Sequence, residues 1–512
     1  MTTRTNDSNV FWLDRADGQT YPPLSRDCTV DVAIIGAGMT GLHCALALRD
    51  SGLRVVVLEA RRIGRQATGR STAKVTSQHG LCYARLAKDF GGDHARLHAQ
   101  ENERALELVA DLSAQIGARA AFERRDAFVW ATDEDEAREL EREAEAARAA
   151  GIEAVVERNA PVPVPELATL RFPRQAQFDP FGYLRGLSGL VSGSVDIHED
   201  SRVTSVKTGE SCQISVNGFT VLAKTAIVTT QMPIVGEGHF FAKAFPFAHP
   251  VAAAPLADGV EVNGMFINAG SPTRSLRTAM RDGRTYVIAA GDEFRPGEPE
   301  DERRAVGDLV DFLNRRFGIE EPTHLWTNED FRPMDGAAFI GPADGRHPNL
   351  LVATGFAAWG ITQGVVAGEL LAALARGEHH PAASLYDATR HKPVAGGAEF
   401  LKENLKAGGH LVGDRLFNRK ALPLDEIASG QGGVVSHDGE KLAVRRDASG
   451  ATVVLSAICT HLGCVVDWNA TDRTWDCPCH GSRFDESGAV LAGPATAPLE
   501  PRRFEDDVKA DE

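Results

Sequence analysis

The stretch Cys28–Arg62, CTVDVAIIGAGMTGLHCALALRDSGLRVVVLEARR, permits few folds. An apolar, β-branched run over Val30–Ile35 meets a glycine-rich turn, and an alanine- and leucine-rich helix follows. A second apolar strand, Arg54–Leu58, ends in Glu59. That order is a βαβ unit. Gly36-x-Gly38-x-x-Gly41 falls between strand and helix. There the first glycine permits the tight turn, the second lets the backbone approach a pyrophosphate, and the third lets the helix pack closely. The helix amides then face the phosphates. Glu59 stands 18 residues beyond Gly41, where a carboxylate accepts from both ribose hydroxyls. An acid at that position argues against a 2′-phosphate, despite Arg61 and Arg62. A dinucleotide is expected, and the fingerprint alone serves FAD and NAD equally.

At 512 residues the chain exceeds one ordinary core, and about 150 residues per domain suggests about three units. The formal net charge of −16 argues against nucleic acid as a partner and favours basic ones, such as small electron carriers. No apolar run approaches the ~20 residues needed to span a bilayer, so no transmembrane segment is expected. The first residues lack both a secretory apolar core and a twin arginine, which makes the cytoplasm the expected compartment.

From about 85 to 160 the pattern is helical and highly charged, with ARELEREAEAARAAGIEAVV reading as a solvated amphipathic helix that stops at Gly151. Within it His94 and His98 lie at i, i+4 beside Asp93, a set that a two-histidine, one-carboxylate iron would use. The charged surroundings favour a solvated face instead. After about Pro381 the composition shifts to a connector with one short helix. Beyond about residue 420, period-two alternation with frequent turns predicts a small all-β domain.

Four of the eight cysteines fall between 459 and 479. CTHLGC (Cys459–Cys464) and CPCHGS (Cys477–Ser482) each offer cysteine and histidine. Two of each suit a Rieske [2Fe–2S] centre, with thiolates on one iron and imidazoles on the other. They also suit tetrahedral zinc. Zinc fingers usually pair like with like, however, whereas each half here supplies one Cys and one His, and Cys464 and Cys479 have no place in a four-ligand zinc site. Cys28, Cys44, Cys82 and Cys212 are isolated and read as inert packed residues.

Two further stretches separate FAD from NAD by likeness. RIGRQATGRSTAKVTSQHG (Arg62–Gly80) resembles the segment after the ribose acid in FAD-dependent oxidoreductases of the D-amino-acid oxidase and glycine oxidase superfamily. DGAAFIGPA and NLLVATGFAAWGITQG resemble its C-terminal flavin-binding segment, so the likeness spans roughly residues 30–390. The resemblance implies FAD, with contacts at Thr68, Ser71 and Thr72, and Val203 at the adenine end. It also implies that a helix start near Gly360 aims about half a positive charge at the flavin pyrimidine, with Thr362 adding a hydrogen bond. In this superfamily an arginine often clamps a substrate carboxylate. Arg274 and Arg277, in SPTRSLRTAM, are candidates for that role, against an equally ready reading as structural arginines.

CTHLGC and CPCHGS resemble the high-potential Rieske proteins of cytochrome bc complexes, down to Ser482 and Gly493-Pro494-Ala495. The resemblance implies Cys459 and Cys477 on one iron, His461 and His480 on an outer iron near the surface, and a disulfide between Cys464 and Cys479. Ser482 would bond a bridging sulfide. High-potential members carry tyrosine two residues after that serine. Here it is Phe484, which predicts an intermediate potential within about −150 to +300 mV.

The whole chain resembles bacterial FAD-dependent oxidoreductases with a C-terminal Rieske domain. The expected fold is α/β plus all-β: a Rossmann-type FAD-binding domain with an inserted α+β substrate domain, then a small all-β Rieske domain. The expected divisions are an N-terminal segment (1–30), an oxidoreductase domain (31–390), a linker (391–420), the Rieske domain (421–506) and an acidic tail (507–512). FAD-binding parts are expected at about 31–85, 176–235 and 330–375, and substrate parts at about 86–175 and 236–329. The expected activity is oxidation of a C–N bond of an amine or amino acid. Electrons would then pass singly from flavin to cluster and on to a quinone-linked carrier, cytochrome or ferredoxin. Two alternatives stand beside it: a cluster that feeds the flavin, for reduction or oxygen activation, and a non-catalytic redox sensor or electron-transfer adaptor.

Overall fold

The computed structural model describes residues 6–15, 18–158, 160, 162–390, 401–407, 409 and 421–503. Most of the expected linker and all of the acidic tail lie outside the described residues; within the connector, 401–407 are helical.

The βαβ unit forms as its pattern dictates. Strands Cys28–Ile35 and Val55–Leu58 pair in parallel, Val32 opposite Val55, and the second is buried along its whole length. Both faces of such a strand are covered, which is why it reads as an unbroken apolar run. Between them runs the helix Met39–Leu48. Gly41 is required by close approach, since any Cβ there would collide with the Gly36 carbonyl oxygen. Strand Phe219–Val228 adds in parallel on one side and Asp196–His198 on the other. Leu350–Thr354 and the antiparallel Phe339–Pro342 extend the sheet, and a hairpin of Val203–Lys207 and Cys212–Val216 completes its eight strands. The helix Thr362–Ala375 packs on Met39–Leu48, burying nearly every residue of both.

A second, nine-stranded mixed sheet carries the α+β part. Its path runs from His324–Pro333 through Ala244–Pro255, Arg284–Ala290, Ser275–Arg281, Met265–Asn268, Glu123–Ala131 and Ala168–Gln177 to Lys74–Val75. The last pair comes from within the first expected FAD-binding part, so the chain visits the second sheet before its long helices begin. Helices Tyr83–Phe90, Gly92–Ile116 and Glu134–Ala149 pack together beside it. Glu134–Ala149 is capped by Asp133, whose carboxylate accepts from the amides of Asp135 and Glu136, and the chain leaves the helix through Gly151 at φ 94°.

The charged-helix reading fails at one face of Gly92–Ile116. His98 is 4% exposed, while His94 bonds the Phe90 carbonyl and Asp93 pairs with Arg96. The three do not form an iron site. Gly92–Ile116 is sandwiched, and its alanine and histidine stripe is interior.

The C-terminal region is all antiparallel: a three-stranded sheet (Gly432–His437, Glu440–Arg446, Thr452–Ser456) and a four-stranded one (Asp467–Asn469, Thr474–Asp476, Arg483–Phe484, Val490–Ala492). It is docked on the rest of the molecule, as the site geometry shows. Among the described residues no helix is long and apolar enough to cross a membrane.

Candidate functional site

A long groove opens along the carboxyl ends of the parallel strands, where ligands of doubly wound sheets bind. It holds about 1290 Å³ free of protein atoms, its open mouth included. Gly36–Thr40 form one end and Gly360–Ile361, at the head of Thr362–Ala375, the other.

At the glycine end the Met39–Leu48 helix begins at Gly38, which has no side chain of its own to cap the first turn. Glu59 is held on both sides: one carboxylate oxygen accepts from the Ala37 amide at 2.9 Å, the other from the Arg61 amide at 3.0 Å. Burial pushes its carboxyl up, against the pull of those two amides. Thr68 accepts from the Met39 amide at 3.3 Å, and Ser71 donates back to the Thr68 carbonyl. The donor set suits a dinucleotide: open helix amides, a side-chain-free turn and an oriented acid.

Of the sequence-nominated cofactor residues, Gly36, Gly38, Glu59, Thr68, Ser71, Val203 and Gly360 line the groove. Gly41 acts behind it, in helix packing. Thr72 is not on the wall and gives its carbonyl to Arg277. Thr362 is also off the wall; its hydroxyl accepts from the Thr76 amide at 3.0 Å and pins that segment to the helix head. Arg274 and Arg277 do not reach the groove either. The Arg277 guanidinium is spent on the carbonyls of Ala73, Phe178, Thr72 and Thr278, and Arg274 bonds the carbonyls of Thr273 and Asp308. Each guanidinium closes backbone acceptors that would otherwise be buried bare.

Sequence reasoning missed the strand His324–Pro333. Asn328 and Asp330 face the groove, and Asp330 accepts from the Ala358 amide at 2.7 Å and the Phe331 amide at 2.7 Å. Through those bonds the strand fixes the loop at the head of Thr362–Ala375, where Ala357 and Ala358 both take positive φ. Burial raises the Asp330 carboxyl to about 6. The intervening Glu329 points the other way, toward the C-terminal region.

In that region two hydrogen-bonded turns face each other. In one, the Cys459 amide donates to the Cys464 carbonyl; in the other, the Cys477 amide donates to the Ser482 carbonyl. A disulfide joins Cys464 to Cys479. The thiols of Cys459 and Cys477 are buried and hydrogen-bonded to one another. Cys459 is drawn down to about 7 by Cys477, by the amides of His461 and Leu462, and by the Ser482 hydroxyl, against the cost of burial. The imidazoles of His461 and His480 stand 5.0 Å apart, centroid to centroid. Burial pushes them down to about 4 and about 3, which keeps them neutral. The Nδ1 atom of each is buried without a hydrogen-bond partner. Two thiols on one side and two orphaned imidazole nitrogens on the other suit a binuclear iron–sulfur group. Ser482 reaches the Cys459 sulfur and accepts from the Ala495 amide at 3.0 Å, tying in the Gly493-Pro494-Ala495 loop.

The histidine end is less open than expected. His480 is 9% exposed, and Phe241, from the short helix Glu237–Ala242, packs edge-on against both imidazoles at 5.5 and 5.3 Å. The neighbouring Leu462 is the exposed residue there, at 47%.

The two sites share walls. Leu491–Gly493, Ala495 and Thr496 line the groove, and Arg202 at its edge donates to the Val490 carbonyl at 2.7 Å. On the other face of His324–Pro333, Gly481 lies so close that a Cβ would collide with the Glu329 carboxylate and the Phe331 ring. Asp472 accepts from Arg70 at 2.6 Å, from the Thr327 hydroxyl at 2.5 Å and from Arg483 at 2.8 Å, all buried. Arg295 donates to the Pro478 carbonyl at 2.6 Å, and Thr471 donates its amide and hydroxyl to Glu302.

Comparison with known proteins agrees with both sites. Residues 31–374 match the model of the FAD dependent oxidoreductase family, and residues 419–503 that of the Rieske [2Fe-2S] domain. A Bacillus subtilis protein named for a Rieske 2Fe-2S centre, YhfW, is 30% identical over 494 residues, covering 96% of each chain. The cytochrome b6-f complex iron-sulfur subunit of Synechococcus elongatus is 34% identical over 143 residues, 27% of this chain and 71% of that one. Glycine oxidase from Geobacillus kaustophilus superposes with a TM-score of 0.59 at 16% identity, over 71% of this chain and 99% of its own. L-proline dehydrogenase from P. horikoshii gives 0.57 at 17%, over 72% and 98%. Those two likenesses establish the fold of the larger part. The chain therefore belongs to the FAD dependent oxidoreductase family and carries a Rieske [2Fe-2S] domain in its C-terminal part, so that one polypeptide binds both FAD and a [2Fe-2S] cluster.

Proposed function

We propose that this protein oxidises the C–N bond of an amine or amino acid and sends the electrons one at a time, through its own Rieske domain, to an external acceptor. One observation carries the reading: the strand His324–Pro333 presents Asn328 and Asp330 to the groove and Glu329 to the Gly481 turn, so a single element touches both sites. The folds of a glycine oxidase and an L-proline dehydrogenase, whose names speak of amino acids, support the substrate class.

When bound, FAD supplies a two-electron hydride acceptor and the cluster a one-electron carrier. The chain's own residues do the positioning. Glu59 and the amides after Gly38 hold the nucleotide half. The head of Thr362–Ala375, fixed by Asp330, places its positive end at the opposite end of the groove. Glu329 is buried with neither carboxylate oxygen hydrogen-bonded, and burial holds its carboxyl well above the usual range. Cys459, Cys477, His461 and His480 are the proposed cluster ligands, with Ser482 donating to a ligand sulfur. The acceptor is a quinone-linked carrier, cytochrome or ferredoxin, and the net charge of −16 favours a basic one among such carriers.

The test is anaerobic. A panel of amines and amino acids is added to the holoprotein while flavin absorbance and the cluster EPR signal are followed together. Bleaching of the flavin with a matching rise of the EPR signal is the expected result. Flavin reduction without any cluster signal would refute the internal passage. Reduction of the flavin by reduced ferredoxin, with every amine inert, would reverse the direction.

A further inference from the structure

We infer that His79, Cys82 and His98 form a second metal site, separate from the iron–sulfur ligands, that takes one divalent zinc-class cation. Their ligand atoms lie within 4.8 Å of one another and all three residues are buried. His79-x-x-Cys82 is carried on the turn that opens the helix Tyr83–Phe90, and His98 comes from the facing Gly92–Ile116.

Hydrogen bonds on the far side of each ring set which nitrogen is free. His79 Nε2 is 2.8 Å from the Thr76 carbonyl, which can only accept, so Nε2 carries the proton and Nδ1 keeps its lone pair. His98 Nδ1 is 2.7 Å from the Tyr386 hydroxyl, and donating to it leaves Nε2 bare. The two bare nitrogens face each other at 3.3 Å. Metal–nitrogen bonds of about 2.0–2.1 Å at a tetrahedral angle put two imidazole nitrogens about 3.3 Å apart. A ring nitrogen oriented by a carbonyl or hydroxyl behind it is the usual support of a metal-bound histidine.

Charge and coordination also balance. Burial and the neighbouring Glu143 hold the Cys82 thiol well above its ordinary value, so its proton is displaced only as the cation binds; the ion with one thiolate then carries a single positive charge beside the Glu143 carboxyl, which accepts from the amides of Tyr83 and Ala84. The Gln363 amide, 3.5 Å from His79 Nδ1, is placed to offer its oxygen as a fourth ligand once its ends are exchanged. Nitrogen, nitrogen, sulfur and oxygen make a borderline-soft set that suits zinc. The rival arrangement is a plain hydrogen-bond chain, in which Tyr386 donates to His98 and His98 to His79.

The experiment counts metals in the full-length holoprotein grown with zinc, and repeats the count after dialysis against Zn²⁺. The expected result is about one zinc per chain beside the two irons of the cluster. Zinc K-edge absorption should show one sulfur at about 2.3 Å and nitrogen or oxygen neighbours at about 2.0–2.1 Å. Cys82→Ser and His98→Gln should each lose the zinc and keep iron and FAD. Absence of zinc from the wild-type protein after dialysis overturns the proposal in favour of the hydrogen-bond chain. Two sulfurs per zinc with missing iron, or zinc retained by both variants, overturns it too, because the ion then sits elsewhere. Should either variant fail to fold, the wild-type count and spectrum still decide.

Discussion

Phe484 is fully buried in the same apolar cluster as Cys459 and Cys477, opposite Trp475 in the strand pair. A hydroxyl added to that ring enters a buried space. Donated to a ligand sulfur, it would favour the reduced, more negative state of the cluster. One such bond nets about 0.5–1.5 kcal/mol. For a one-electron couple, where about 59 mV is a factor of ten, that is roughly 20–65 mV. Phe484→Tyr is therefore expected to raise the cluster potential by about that amount in an EPR-monitored redox titration. An unchanged or lower potential would show that position 484 does not tune the cluster. Ser482 is the counterpart already in place, and its bond to the Cys459 sulfur is made with the Ala495 amide holding the same oxygen.

At the scale of elements, the helix Pro299–Phe317 meets the C-terminal region through Glu302 in its first turn. Burial raises that carboxyl to about 7, with Asp476 and Asp472 adding to the push and the Thr471 bonds opposing it. The sign follows from linkage. Below the unfolded value of about 4.5 both states hold the proton, and nothing is lost. Between about 4.5 and 7 the unfolded chain releases its proton while the folded one does not, so stability falls as pH rises, by up to roughly 3 kcal/mol. Glu302→Gln removes this slope. Its melting temperature should match the native protein below about pH 4.5 and exceed it at pH 8; equal curves across the range would contradict the account. Contacts of this kind also mark where sequence reading ran out. The βαβ unit and the two cysteine–histidine turns were legible because each is written in one short window, with strand, glycines, acid and ligands at fixed spacing. Glu302 and Thr471 lie far apart in the chain, and no local pattern links them. The charge of its own helix argues for a solvated His98, while Tyr386, which covers it, comes from near the end of the oxidoreductase part. For Arg277 the sequence leaves a substrate role and a structural one equally open, because its carbonyl acceptors at Thr72, Ala73 and Phe178 belong to other elements.

At the scale of the molecule, the decisive feature is that the Rieske region is docked with its histidine end against Phe241 and its loops walling the groove. The lock is a buried charge group: Arg70 from one side, Arg483 from the other, and Asp472 between them, with Thr327 completing the acceptor's shell. Such a group specifies position more than it stabilises, since both charges have already lost their water. Removing one partner is another matter, because it strands the others, at about 3–5 kcal/mol. Asp472→Ala leaves Arg70 and Arg483 facing each other without the carboxylate between them, although Arg483 keeps Asp476 and Arg70 keeps Asp7 at 3.7 Å. The side chain touches neither Glu59 nor the proposed cluster ligands, so FAD and iron contents should remain. Stopped-flow mixing with a reducing amine should then give an unaltered rate of flavin bleaching and a slower rise of the cluster signal. Pairing the change with Arg70→Met, which removes the stranded cation, should restore part of the rate, and the double-mutant cycle measures the coupling. If Asp472→Ala slows flavin bleaching as much as the cluster signal, the network supports the fold of the groove and not the alignment of the two sites. If neither rate changes, the docked arrangement does not depend on this lock, and the contacts of Arg295, Glu302 and Arg202 carry it.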